Sequence, residues 1–336
     1  MNSEVLENLH KLKKMLVLLS EERKVVMSHH KTFEHVEKIR NIVDDSIKLQ
    51  KMNNYSCFEV SYKDGIAHLS MSRPDQLNSM TRIFWKELPE IIKNIDKNSD
   101  ARVIVLSGQG KHFSAGMDLN TFAPPKKSER KIDPARQREA FYHEVLELQD
   151  TFTALEECRM PTIAAIQGAC VGGAIDMAAA CDLRYCSENA FFKIAEVDIG
   201  IAADVGTLQR LPSLIPLAAL RELAYTGRKF DSSEAKSLGL VNEVYSSEDE
   251  LRSEVQKIAQ TIASKSPLVT RVIKKQINYA RDHSVRDALE FHATWNASLI
   301  SGKDMEAAMT AYMNKTHGEF EDLEPKKSFW EKEGLI

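Results

Sequence analysis

Two short apolar runs that end in glycine constrain this chain most. "RVIVLSG" (102–108) and "PTIAAIQG" (161–168) are too short for helices of ordinary length and carry no polar face. Such runs read as strands buried on both sides of a sheet. Between and after them lie helical stretches, "RIFWKELPEIIKNIDKN", a run leading to Cys158, and the Ala-rich "GGAIDMAAAC". "LRYCS" reads as another strand, and "CFEVSYKDGIAHLSMSRP" as a hairpin turning at Asp64-Gly65. Strands alternating with helices and joined by short connections predict an α/β fold. "FAPPKKSERKIDPARQR", polar and proline-bearing, reads as an exposed loop, and the chain from about 250 onward as mainly helical.

Residues 1–51 form a different segment. Leu9, Leu12, Leu16 and Leu19, then Val26, Phe33, Val36, Ile39 and Ile42, recur every three or four positions without Pro or Gly. This predicts one long helix or a helical hairpin, with Met52 as a candidate alternative start. The expected division is a helical extension (1–51), an α/β core (52–250) and a helical C-terminal region (251–336).

Composition narrows the function classes. The net charge of −4 gives no reason to expect nucleic acid or an anionic membrane as partner. No run approaches the length of a membrane span. Cys57, Cys158, Cys170, Cys181 and Cys186 are an odd, scattered set without a CxxC pair, expected to be reduced and buried. His29, His30 and His35 lack the carboxylate or thiol that would complete a metal set, so no metal is expected. The N-terminus has no signal-peptide core and "EKEGLI" is not the Ser-Lys-Leu address, which favours the cytoplasm.

The chemistry sits where the buried strands end. "GKHFSAGMDL" (110–119) and "QGACVGGAIDM" (167–177) put small residues just downstream of 102–108 and 161–168. Glycine there lets backbone approach a ligand, and the first N–H groups of a helix starting at Gly172-Gly173 have no internal partner. Two such loops converging at one sheet end would each give an N–H to an oxyanion, those of Met117 and Gly173. Each donor of this kind contributes ~2.7–4 kcal/mol to a transition state. As tight turns alone, the same glycines would need no ligand.

"EVDIGIAADVGTLQR" (196–210) raises a second question, because Glu196, Asp198 and Asp204 stand among small and apolar residues. Acids are rarely buried uncompensated. Fully extended, the span from Glu196 to Asp204 would measure roughly 26 Å, so the chain must turn, and Gly200 allows it. Asp176 lies one helical turn beyond Gly173 on the same side. The plainer alternative makes these acids salt-bridged, with Asp204 capping the helix of "VGTLQRL".

Together "RPDQLNSM" (73–80), "HFSAGMDL" (112–119), "GACVGGAIDMAAACDLRYC" (168–186), "EVDIGIAADVGTLQRLP" (196–212) and "TGRKFDSSEAKSLGLV" (226–241) resemble the enoyl-CoA hydratase/isomerase (crotonase) family in the same order. The resemblance covers about residues 55–315. It is nearest to the Δ3,5-Δ2,4-dienoyl-CoA isomerase branch, through the 196–212 stretch, "YARDHSVRDALEFHATWNASL" (279–299), and aspartate at both 176 and 204.

The resemblance implies a crotonase-like spiral of β-β-α turns with a helical C-terminal region, assembled as a trimer or hexamer. It implies an acyl-CoA thioester substrate, with coenzyme A entering as part of that substrate and no separate cofactor. Met117 and Gly173 would hold the thioester oxygen, while Ser114, Ala115, Gly116 and Gly172 would line the substrate and CoA path. Asp204 would take a proton from C2, Glu196 would protonate C6, and Asp176 would assist. Ile199, Ile201 and Ala203 would desolvate the acids. A mitochondrial or peroxisomal compartment is the alternative it brings. Two other readings compete: a 2-enoyl-CoA hydratase using Asp176 and Glu196, which has no need of Asp204, and a non-catalytic scaffold of the same fold.

Overall fold

A computed structural model of the chain describes residues 55–118, 120, 133–300 and 302–328, with 11–16, 19 and part of 30–43. The hairpin forms as its turn chemistry requires. β1 (Phe58–Lys63) pairs antiparallel with β2 (Ile66–Met71), Lys63 opposite Ile66. Asp64 and Gly65 both take positive φ, 53° and 74°, the two-residue turn that Asp-Gly favours.

α1 (Arg82–Asn98) then crosses to β3 (Val103–Gly108), which lies parallel to β2. Thr81 caps α1 by accepting from the Phe84 amide, and Phe84, Leu88, Ile91, Ile92 and Ile95 form its buried stripe. α2 (Pro134–Glu157) leads to β4 (Thr162–Ile166), β5 (Ala169–Val171) and α3 (Gly173–Ala180). β6 (Leu183–Ser187) and β7 (Phe191–Lys193) follow. Next come α4 (Thr207–Arg210), α5 (Leu217–Thr226), β8 (Phe230–Asp231), α6 (Ser232–Leu238) and β9 (Glu243–Tyr245).

Among the described residues the strands form a six-stranded sheet, β1-β2-β3-β4-β6-β9, and a three-stranded sheet, β5-β7-β8. From β4 onward the strands are shared between the two sheets: β4 then β5, β6 then β7, and β9 after β8. That stepwise filling is the expected β-β-α spiral, and it brings the ends of β3 and β4 to one rim.

The large sheet is covered on both faces, as its apolar runs predict. Ile66, Val103, Val105 and Ile163 pack under α7 (Glu248–Ala263), against Leu251, Val255 and Ala259. Leu69, Ile104, Leu106 and Ala164 point the other way, into the main core with α1, α2 and α3. All five cysteines are free and buried there or beside it.

α8 (Pro267–Asp282), α9 (Val285–Leu299) and α10 (Lys303–Asn314) make the helical C-terminal region. Buried Lys274 plugs α8 onto the core, donating to Leu155 O (2.9 Å) and Met160 O (3.0 Å) and pairing with Asp182 (2.8 Å). The final segment runs back over the core, where Arg102 holds Asp322 and Arg159 holds Glu324 O.

Two expectations shift. The polar stretch around 122–138 is not all loop: Asp133 caps α2 by accepting from the Arg136 amide, and Pro134 occupies its first turn. Residues 121–132 of that stretch lie outside the described residues, as does Met52. At the N-terminus, 11–16 are helical and His35 Nε2 donates to Met15 O at 2.8 Å, a contact across 20 positions that one straight helix could not make. Among the described residues no helix is long and apolar enough to cross a membrane.

Candidate active site

The two glycine-bearing loops are stitched edge to edge. Phe113 N–H donates to Gln167 O (2.7 Å), Ser114 N–H to Ala169 O (2.9 Å), and Val171 N–H to Ser114 O (3.2 Å). Ser114 is fully buried: its hydroxyl donates to Asn78 O (2.8 Å) and accepts from the Gly116 amide (3.1 Å). Buried Asn78 pins the first loop from below, donating through Nδ2 to Gln109 O and His112 O. Ser114 thus acts on the loop, and any contact it offers a ligand is through backbone.

This stitching sets the amides. Met80 N–H donates to Gly116 O and Asp118 N–H to Met80 O, which leaves the intervening Met117 N–H facing the other way. Gly173 N–H is at the first turn of α3. Neither amide has a hydrogen-bond partner among the described residues. They are also adjacent: a Cβ placed on Gly173 would lie 3.9 Å from Met117 N, and one on Gly116 3.3 Å from Gly173 N. Gly116, at φ 83°, is required here, because its Cβ would meet Val171 O at 2.4 Å. The pair predicted from the sequence is therefore brought together as a two-donor cradle.

The acids gather around it. Asp176 is fully buried on α3, and its Oδ1 accepts from the Thr207 amide. Burial raises its pKa to about 6, the Asp204 charge adds to this, and Thr207 and Arg210 oppose it. Glu196 stands beside Gly172, whose Cβ would meet its Oε1 at 3.1 Å. Burial, and then the Asp176 charge, raise the Glu196 pKa to about 7. Asp204 is exposed at the rim, and partial desolvation raises its pKa too. Asp176 Oδ2 and Glu196 Oε2 are buried without a partner among the described residues. These are carboxyls poised to exchange protons near neutrality.

The chain makes the required turn. Residues Glu196–Ile199 form a 3-10 turn ending on Gly200 at φ 76°. The rim loop is then clamped by Gln149 Nε2 on Asp204 O (2.7 Å) and by Arg210 on Val205 O, with Arg210 also paired to Glu156 at 2.9 Å.

One alternative and one expectation fail here. Asp204 is not a helix cap: Gly206 occupies that position before α4, with no side-chain cap. Ile199 and Ile201 do not desolvate the acids, being 52% and 41% exposed, because the 3-10 turn and Gly200 rotate them outward; only Ala203 is buried. Asp198, the third acid of the stretch, faces Lys193 at 2.7 Å and takes no part in the cluster. Thr207, Gln149, Arg210 and Asn78 were missed by sequence reasoning. Each supports the site through a contact with a residue distant in sequence, which leaves no local pattern. Among the described residues no group of His, Cys, Asp and Glu could hold a metal ion.

Known proteins of this build carry related chemistry in their names. The "Enoyl-CoA hydratase/isomerase" family profile matches residues 61–324. The chain is 43% identical to the peroxisomal Delta(3,5)-Delta(2,4)-dienoyl-CoA isomerase of Arabidopsis thaliana, over 81% of this chain and 99% of that one. It is 42% identical to the mitochondrial enzyme of the same name from Mus musculus, over 78% and 81% respectively. Among solved structures, an enoyl-CoA hydratase from Bacillus anthracis superposes with a TM-score of 0.71 at 29% identity, covering 81% of this chain and all of its own. With the profile spanning most of the chain and the cradle and acids in place, this protein belongs to the enoyl-CoA hydratase/isomerase family.

Proposed function

We propose that the chain is a dienoyl-CoA isomerase that converts a 3,5-dienoyl-CoA to the 2,4-dienoyl-CoA. The observation that carries the reading is the placement of three carboxyls, two of them with raised pKa values near 6 and 7, beside one pair of unpartnered amides. Two separate acids suit a reaction whose two protons move at carbons four bonds apart.

In this reading Asp204 takes the proton from C2. The C–H electrons form the C1–C2 double bond, and the thioester oxygen becomes an oxyanion held by Met117 N–H and Gly173 N–H. Glu196 then gives its proton to C6. The electrons settle as C2–C3 and C4–C5 double bonds and the carbonyl returns. Asp204 ends protonated and Glu196 ionised, and proton exchange with solvent resets both. Asp176 adjusts the field between them. Only protons move, so coenzyme A, as part of the substrate, suffices.

Ser114, Ala115, Gly116 and Gly172 line the CoA path by their backbone. The exposed Val285 (77%), Leu289 (64%), Tyr312 (83%) and Met313 (70%) of α9 and α10 support assembly into a homo-oligomer, trimer or hexamer. The named relatives are peroxisomal or mitochondrial, which favours one of those compartments over the cytoplasm and a place in fatty-acid β-oxidation. The test is absorbance on purified protein with 3,5-octadienoyl-CoA beside crotonyl-CoA. Growth of the conjugated dienoyl band with little hydration supports the isomerase. Hydration alone selects the hydratase, and no turnover of either selects a scaffold.

A further inference from the structure

Thr207 begins α4 immediately after Gly206, which has φ 139°, and is 1% exposed. Its amide reaches Asp176 Oδ1. Its hydroxyl is buried and, like Asp176 Oδ2, makes no hydrogen bond of good geometry among the described residues, although it lies close enough to Asp176 to help hold that carboxyl down. Buried polar atoms without partners are uncommon, and each normally has an explanation. Here two complementary orphans sit on residues already joined. A threonine hydroxyl has one hydrogen to give and rotates freely, while an ionised carboxylate only accepts.

The isomerase reading makes this pairing matter, and the following rests on that reading. We infer that Thr207 is a positioning residue: its hydroxyl, turned onto Asp176, holds that carboxylate ionised and thereby keeps the exchangeable proton on Glu196. Hydrogen bonds to a carboxylate favour its charged form, and neighbouring carboxyls titrate as a coupled set. The groups that act on Asp176 electrostatically are Glu196 and Asp204, both negative when ionised, the Arg210 cation, and the Cys170 thiol. Behind Arg210, the Glu156 charge of α2 is already taken up by Arg210 and Arg281. Without the hydroxyl, a proton settles more readily on Asp176. Glu196 then loses the neighbouring charge that made it a proton holder, and the step at C6 starves.

Thr207→Val keeps the shape and the backbone amide and removes only the hydroxyl; Thr207→Ser keeps the hydroxyl. With full-length protein and 3,5-octadienoyl-CoA, kcat and KM are measured from pH 5.5 to 9. The valine variant is expected to lose about two- to threefold in kcat at and above pH 7, with KM within about twofold. Its alkaline limb, where Glu196 gives up its proton, is expected to move down by about half a pH unit, because Asp176 no longer stays charged beside it. Serine is expected to restore both. A valine variant with wild-type kcat and an unmoved limb would overturn the assignment. So would a serine variant as slow as valine, or a loss of thermal midpoint with the limb in place, which mark packing alone. Wild-type protein that fails to isomerise removes the underlying reading and this assignment with it. Isomerising wild type beside an unaffected valine variant removes the assignment alone.

Discussion

The cradle and the acid loop meet at one site but are built on opposite principles. The cradle works through backbone, and most of its residues are buried: Ser114 0%, Cys170 0%, with Gly116 and Gly173 among them and Met117 half-buried. Every strand-like step of 113–114 is bonded to 167–171. The acid loop works through side chains, and 197–202 is exposed, held by turns and a few clamps. Their glycines show the difference. A Cβ on Gly116 would strike Val171 O at 2.4 Å, while one on Gly200 has nothing within 4 Å. A backbone donor cannot be removed by changing a side chain; it can only be displaced. The cradle is therefore sensitive to added bulk, and the acid loop to lost charge. Gly172 is the joint between them, an atom's width from Glu196.

Charge removal at the acid loop has the largest expected effect. Asp204→Asn and Glu196→Gln preserve volume and each is expected to lower kcat by about 10³-fold, within the usual range for general acid or base removal. KM should hardly move, since neither group is needed to seat the thioester. A wild-type rate in either variant would strike that residue from the mechanism. Bulk at the cradle comes next. Gly116→Ala must push the loop away from Val171 O, misplacing the Met117 amide, and is expected to cost about 10²–10³-fold in kcat, the worth of one oxyanion donor. The comparison breaks if Gly116→Ala is harmless, for then the amides do not carry the oxyanion.

The same contrast governs what the sequence made legible. The cradle was readable because its requirements are local: a buried apolar run, a glycine at its end, a helix start. Asp64-Gly65 and the β3 and β4 runs were readable for the same reason. The identities of Asp176, Glu196 and Asp204 as one cluster came through resemblance, and their environment did not follow from neighbours in sequence. Ile199 and Ile201 flank the acids in the chain, yet a single αL residue at Gly200 turns them to solvent. Pro134 opened a helix that its polar surroundings disguised, although Asp-Pro is a helix-start signal. Thr207, Gln149 and Arg210 act on residues 31, 55 and 54 positions away, and no periodicity encodes such pairs.

Asp176 belongs to both regions, an acid carried on the helix that supplies a cradle amide, and its cost should be visible in stability. Its carboxyl has a folded pKa of about 6 against an ordinary value of 3.8. The folded protein therefore binds more protons than the unfolded chain between these two values, and stability falls as pH rises through that window. Above about pH 7 the penalty is complete, roughly 2–3 kcal/mol as an upper figure for a shift of this size. Well below the ordinary value of 3.8 both states are protonated and it vanishes. Asp176→Asn keeps an acceptor for the Thr207 amide and removes the charge. Its thermal midpoint is expected to exceed that of wild type by several degrees at pH 8 and to converge with it well below pH 3.8. Glu196, raised to about 7 partly by Asp176, relaxes in the same variant and widens the gap at high pH. Equal midpoints at pH 8 would mean that Asp176 carries no buried charge, and the site would then hold its proton for some reason other than the crowding of carboxyls around the cradle.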